Sequence, residues 1–283
     1  MGEYNQEKTM ASGNNKNVMF FVPLIFAIQT RFLRRSRLGL IIWATEYLIP
    51  VLLSLFIMKW SLYDIVTGLL AIIAVYNLYE IGYIQNDCET IKKEDRPTKR
   101  LTVKQLKYYE EHKSFIYGVR MLWGVFFSWY FMEKGLSWIW IAAMWMVIPY
   151  YLVYNYLRGR ICLYLIMPLT TYRYCFPLII YGMILESSLV WIVAFTLYIA
   201  YPLSTFIEIC SDGKGNPPET WTRLFLRNFD DRFRFRVWYY LLMSMMCFSF
   251  CAIGDIPYSI TLIPLFYLLD RIPQLKMKKL NVK

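Results

Sequence analysis

The fold class that this sequence predicts is an all-α polytopic membrane protein, and three observations predict it. Of 283 residues, 58% are hydrophobic and 18% are charged, whereas a soluble domain carries about a quarter charged and under half apolar. Apolar stretches of about 20 residues, the length that crosses a hydrocarbon core of roughly 30 Å, recur along the chain. Basic residues fall unevenly between the connections. The 19% aromatic content and only 13 Gly exclude disordered, collagen-like and low-complexity classes. A net charge of +11 reports topology in such a chain before it reports a nucleic-acid partner, and no such partner is expected.

Residues 1–17 are polar. Val18 to Ile28 is apolar but too short to span, and Arg31, Arg34, Arg35 and Arg37 follow it. A secretory signal places its charges before the apolar run, so an interfacial helix is expected instead. Residues 1–37 are then an N-terminal arm, 38–274 a single transmembrane domain, and 275–283 a basic tail. Eight spans are expected at 38–58, 62–85, 115–131, 136–157, 160–182, 186–206, 236–253 and 256–270, in two halves of four.

The charge count sets their orientation. Of the 31 Lys and Arg, 27 fall on one side: in the arm, the 2–3 and 6–7 loops, the 4–5 turn and the tail. Lys59 and Lys134 fall opposite, and Arg120 and Arg173 lie within spans. Both termini are therefore expected in the cytoplasm, at a bacterial-type inner membrane. The long loops, 86–114 and 207–235, share that face at matching places in the two halves, where a membrane enzyme would carry its chemistry.

Six cysteines show no paired spacing, and Cys247 and Cys251 read as packed thiols. The single histidine, His112, leaves no His-rich zinc site. Gly213-Lys214-Gly215-Asn216 lacks the spacing of a P-loop and reads as a turn. Tyr76, Tyr79 and Tyr83 form a stripe on span 2, read as packing first and as an aromatic wall for a cation second.

The first long loop begins Asn86-Asp87-Cys88-Glu89-Thr90 and continues through Glu94 to Arg96-Pro97-Thr98-Lys99-Arg100. If span 2 continues as a helix up to Pro97, Asp87 and Glu94 share one face, with Asn86 and Thr90 beside them. Oxygen ligands ranged this way suit Mg²⁺, which combines carboxylates with substrate phosphates. Arg96, Lys99 and Arg100 would hold the remaining phosphate charge. Arg120 and Arg173, ionisable groups within spans, are functional candidates by depth alone.

This segment resembles the acidic motif of the UbiA superfamily of intramembrane prenyltransferases. Asn86, Asp87 and Glu94 match, Thr90 stands where the middle acid is expected, and the Arg96 to Arg100 run resembles the basic end of the motif. That end also resembles the branch that transfers phosphoribose to polyprenyl phosphate. The resemblance implies a Mg²⁺-dependent transferase, with metal at Asn86, Asp87 and Glu94 and a second pair, Glu208 and Asp212, after span 6. It implies Asp87 and Glu94 as catalytic groups, with Arg120 added by its depth, and Asn86, Arg96, Lys99 and Arg100 around a diphosphate, with Lys214 added by the charge of its loop. The family's further basic element is either Arg173 or Arg158-Gly159-Arg160. The partners would be an isoprenoid or polyprenyl lipid and the surrounding membrane lipids. Two further readings stand beside prenyl transfer: phosphoribosyl transfer to a polyprenyl phosphate, and a lipid-binding or transport subunit without turnover. The oligomeric state is left open.

Overall fold

A computed structural model of the protein describes residues 16–33, 38–58, 62–93, 98–157, 159–213, 217–226, 228–254 and 256–281. No strand occurs among them, and the helices in chain order are α1 (25–32), α2 (Leu38–Met58), α3 (Leu62–Cys88), α4 (Val103–Glu133), α5 (Trp138–Trp145), α6 (Val147–Tyr156), α7 (Ile161–Ile184), α8 (Val190–Asp212), α9 (Arg232–Ile253) and α10 (Leu262–Asn281). Among the described residues, five helices are long and apolar enough to cross a membrane: α2, α3, α7, α8 and α9. The other three expected spans fall on α4, on α5 with α6, and on α10. In α4 and α10 charged and tyrosine-rich stretches dilute the aliphatic content, and α5 and α6 are broken apart at Met146.

Several boundaries follow from local chemistry. Thr102 and Gln105 form a capping box: each side chain accepts from the other's backbone N–H. That satisfies two of the amide donors a helix start leaves orphaned. The helix therefore begins at Val103, well before the expected span at 115. At its far end, Gly135 takes a left-handed φ of 91°, and Leu136 N–H reaches back to Phe131 O at 2.9 Å, a glycine-closed helix end. The long loops are accordingly shorter than expected, because helix continues into both.

Two apolar cores share α3 and α7 as their common wall. One gathers Val51 and Leu55 of α2, Leu178 of α7, Val193 and Leu197 of α8, and Tyr240, Ile263 and Tyr267 of α9 and α10. The other gathers Val75 and Leu78 of α3, Phe127 and Phe131 of α4, Met144, Val147 and Tyr151 of α5 and α6, and Ile180 of α7. The cores thus depart from the expected split into sequential halves, since α2 packs with the second half of the chain.

The N-terminal segment does not lie as a free interfacial helix. Met19, Phe20 and Phe26 are fully buried, in a core with Ile84 and Cys88 of α3 and Tyr109 and Ile116 of α4. Buried charge fixes it there. Glu80 of α3 accepts from the backbone N–H groups of Leu24 (2.9 Å) and Ala27 (2.6 Å). Arg120 of α4 pairs with Glu80 at 2.7 Å and donates to the carbonyls of Met19 and Phe20, both at 2.8 Å. Polar groups at this depth are tolerated only when satisfied. Here one Glu–Arg pair satisfies each other and four backbone groups.

Candidate functional site

Three helices are locally widened into π turns, at Ile28–Phe32, Ala44–Leu48 and Ile199–Leu203, a distortion that frequently marks functional sites. These turns carry Arg31, Glu46 with Tyr47, and Tyr201.

Proline organises two of the neighbouring helices. Pro50 has no N–H for the carbonyl of Glu46, and Pro177 has none for the carbonyl of Arg173. Each orphaned carbonyl is received by a tyrosine from the opposite helix. Tyr47 donates to Arg173 O at 3.2 Å, and Tyr174 donates to Glu46 O at 3.0 Å. The rings of Tyr47 and Tyr174 meet edge to face at 4.9 Å. The sequences read Glu46-Tyr47-Leu48-Ile49-Pro50 and Arg173-Tyr174-Cys175-Phe176-Pro177, one charge-Tyr-x-x-Pro unit on each of α2 and α7, joined reciprocally.

The two charges of these units have different fates. Glu46 accepts from Arg271 and from Tyr201, each at 2.8 Å, and Tyr267 adds a second donor to its carbonyl at 2.9 Å. Arg173 has no carboxylate partner among the described residues. Its guanidinium donates to Tyr83 at 3.2 Å and lies over the rings of Tyr174 (5.4 Å), Tyr79 (5.6 Å) and Tyr47 (5.9 Å). Its Nε is buried without an acceptor. A cation held by ring faces and one hydroxyl retains unused capacity for an anion.

A second basic group adjoins it through Tyr83. Arg31 lies over that ring at 4.3 Å and pairs with Asp87 at 2.9 Å. Asp87 is buried at the end of α3 and also holds Arg100 at 2.8 Å, while Asn86 donates to it at 3.1 Å. The run Arg100, Asp87, Arg31, Tyr83, Arg173 therefore places three guanidiniums against one carboxylate.

The expected site residues divide on this geometry. Asn86, Asp87 and Arg100 come together, and Arg173 reaches the same group through Tyr83. Lys99 is exposed beside them. Glu94, Arg96 and Lys214 lie outside the described residues. The helix expected to carry Asn86, Thr90 and Glu94 on one face ends at Cys88, and Thr90–Lys93 is a 3₁₀ turn. A 3₁₀ turn advances each residue further than an α-helix does, so Thr90 is not carried on the α-helical face of Asn86. Arg120 is fully buried, and its guanidinium is taken up by the lock on the N-terminal segment. Glu208 is held by Arg236 at 2.5 and 2.6 Å, and Asp212 is exposed.

The fit to Mg²⁺ can be judged on these donors. Arginines pair with the carboxylates of Asp87 and Glu208, and no group of three metal-capable side chains converges among the described residues. The described donors do not fit the metal site expected from the sequence. Glu46, Arg31, Arg271 and Tyr201 were absent from that expectation. Glu46 carried a usable signal, since a carboxylate near the middle of an apolar span is a functional candidate by depth alone.

Outside the spans, Arg160 at the start of α7 makes two short ionic hydrogen bonds to Glu219, tying residues 217–226 to the bundle. These bonds lower the Glu219 carboxyl below its ordinary value of 4.5. A depressed carboxyl stabilises the fold above its unfolded pKa, and that contribution is lost as pH falls through the folded value. Limited proteolysis should thus cut the 217–226 segment faster as pH drops below about 4.5. Glu219→Gln should show the fast cutting already at pH 7.

Fold and site together define an all-helical protein with an arginine- and tyrosine-lined centre among helices able to cross a membrane. Compared with protein-family models, curated proteins and solved structures, the chain has no match.

Proposed function

We propose that this chain is an integral membrane transferase that receives the diphosphate of an isoprenoid donor at Arg31, Arg100 and Arg173 and transfers the prenyl group to an acceptor. The observation that carries the proposal is Arg173, a guanidinium without a carboxylate partner among the described residues, in a cage of tyrosines and adjoining two arginines that share one aspartate. Three positive charges against one negative favour a multiply charged anion, and bidentate guanidinium contacts suit phosphate oxygens. As the C–O bond of the donor breaks, its electron pair leaves with pyrophosphate, and prepositioned cations stabilise that developing charge. The apolar tail would extend between the helices. Likeness to the acidic and basic run of UbiA-type enzymes supports the same donor class. The 27 to 2 distribution of basic residues supports a cytoplasmic mouth and cytoplasmic termini.

A repeat of two four-span halves along the sequence, whose cores interleave because α2 packs with the second half, is part of this reading. It is supported by the paired charge-Tyr-x-x-Pro units of α2 and α7. Glu80–Arg120 between α3 and α4 also has a counterpart in Glu208–Arg236 between α8 and α9. Eight crossings would place both members of each pair at equivalent depths.

A second reading, lipid binding or transport without turnover, is favoured by one observation: both Asp87 and Glu208 are tied to arginine, so no described carboxylate near Arg173 is free to ligate a metal. Phosphoribosyl diphosphate as donor shares the anion chemistry of the first reading. The deciding assay is release of pyrophosphate from isoprenoid and phosphoribosyl diphosphates by the purified chain, with and without Mg²⁺, across lipid and aromatic acceptors. Release that is lost in Arg173→Met supports the transferase. Saturable diphosphate binding with no release from either donor moves the chain to the second reading.

A further inference from the structure

A groove runs along the outside of α8 and α9, apart from the central arginines. Its apolar chamber, about 320 Å³, lies between Phe195 and Ile199 of α8 and Tyr239, Met246, Cys247 and Cys251 of α9. A second hollow at the start of α9 shares Tyr239 and Leu242 with it and is lined by Asp231, Arg234 and Trp238. The two form one track, apolar along most of its length and charged at one end. From Arg234 to Cys251 the helical rise is about 25 Å. One bilayer leaflet with its headgroup layer is about 20–22 Å thick, so a tilted helix matches it. Both walls belong to helices long and apolar enough to cross a membrane. Methionine and cysteine in the lining adapt to a flexible chain.

The charged end selects among lipids. Arg234 and Asp231 are exposed, lie three residues apart, and have no ion-pair partner among the described residues. Asp231 stands at the cap position of α9, yet its side chain makes no capping hydrogen bond. The mouth therefore presents one cation and one anion about a helical turn apart, with Trp238 as an interfacial anchor.

We propose that this groove is a binding site for a phospholipid with a primary-amine headgroup, of the phosphatidylethanolamine type. Its phosphate pairs with Arg234, its ammonium donates to Asp231, and one acyl chain fills the chamber beside Met246 and Cys247. A quaternary choline head has no N–H to give Asp231, and a glycerol head has no cation for it.

The test is native mass spectrometry of the full chain, purified and delipidated in detergent, then titrated with phosphatidylethanolamine, phosphatidylglycerol or phosphatidylcholine of matched acyl chains. The ethanolamine lipid is expected to bind about tenfold more tightly than either other, the scale of one charge-assisted hydrogen bond. Asp231→Asn should abolish that preference while leaving phosphatidylglycerol binding unchanged. Arg234→Gln should weaken all three lipids. Met246→Trp should fill the chamber and remove binding altogether, and the two exposed substitutions keep the test intact if that variant misfolds. Equal binding of the three lipids would overturn the proposal. So would a preference that survives Asp231→Asn, or a lipid-free dimer that covers the groove.

Discussion

Arg120→Met is expected to be the most destabilising single change in this protein, by about 3–5 kcal/mol, the range for removing one partner of a buried ion pair. Glu80 would be left as an uncompensated carboxylate in the bundle, and the carbonyls of Met19 and Phe20 would lose their donors. The N-terminal segment should detach first, because its backbone is held by this pair more than by helix propensity. Glu80→Leu combined with Arg120→Met tests the same idea from the other side. An isolated ion pair replaced by apolar groups is often neutral. Here four backbone groups would still lack partners, each costing about 1–3 kcal/mol, so the double variant should recover only part of the loss. Thermal unfolding in detergent and proteolysis of residues 16–33 measure both effects. A near-neutral Arg120→Met would sink the lock.

The bundle was legible because apolar run length and charge asymmetry act over twenty residues at a time, and single exceptions do not erase them. The site was less so. Asn86, Asp87, Arg100 and Arg173 could be picked out from the sequence, but their partners could not, because Arg31 and Asp87 are 56 residues apart and Arg271 and Glu46 are 225 apart. Counting only basic residues inside spans also hid Glu46 and Glu80, whose desolvation demands a partner as strongly as that of an arginine. The early start of α4 was written in Thr102-x-x-Gln105, a capping signature that apolar-run counting overlooks. The same is true of the reciprocal tyrosine contacts. A proline four residues after Glu46 and after Arg173 announces an orphaned carbonyl in each helix, but only the fold says which hydroxyl receives it. Asp87 carries the clearest lesson. Read as a loop carboxylate it should be dispensable for stability. Buried between Arg31 and Arg100, it is not, and Asp87→Asn should lower stability along with any activity.

Arg173→Met is the substitution that separates a binding site from a structural one. Arg120 and Arg173 are both basic residues within predicted spans, and the fold treats them oppositely. Arg120 is matched by a carboxylate, whereas Arg173 has tyrosine faces, one hydroxyl and an orphaned Nε. Keeping an unmatched guanidinium among helices costs desolvation energy that the observed contacts only partly offset. A methionine of similar length fills the tyrosine cage without that cost, so Arg173→Met should unfold at an equal or higher temperature than the wild type. Strain retained at a site and relieved by mutation is the usual mark of function. The same variant should lose diphosphate affinity by about 10–100-fold, the worth of one charged hydrogen-bonding group. Arg173→Lys should recover part of the binding but not all, since an ammonium keeps the charge without the planar fork. The measurements are thermal unfolding in detergent and calorimetric titration with an isoprenoid diphosphate. If Arg173→Met is destabilised like Arg120→Met and binds diphosphate as the wild type does, Arg173 serves the fold and the anion site lies elsewhere.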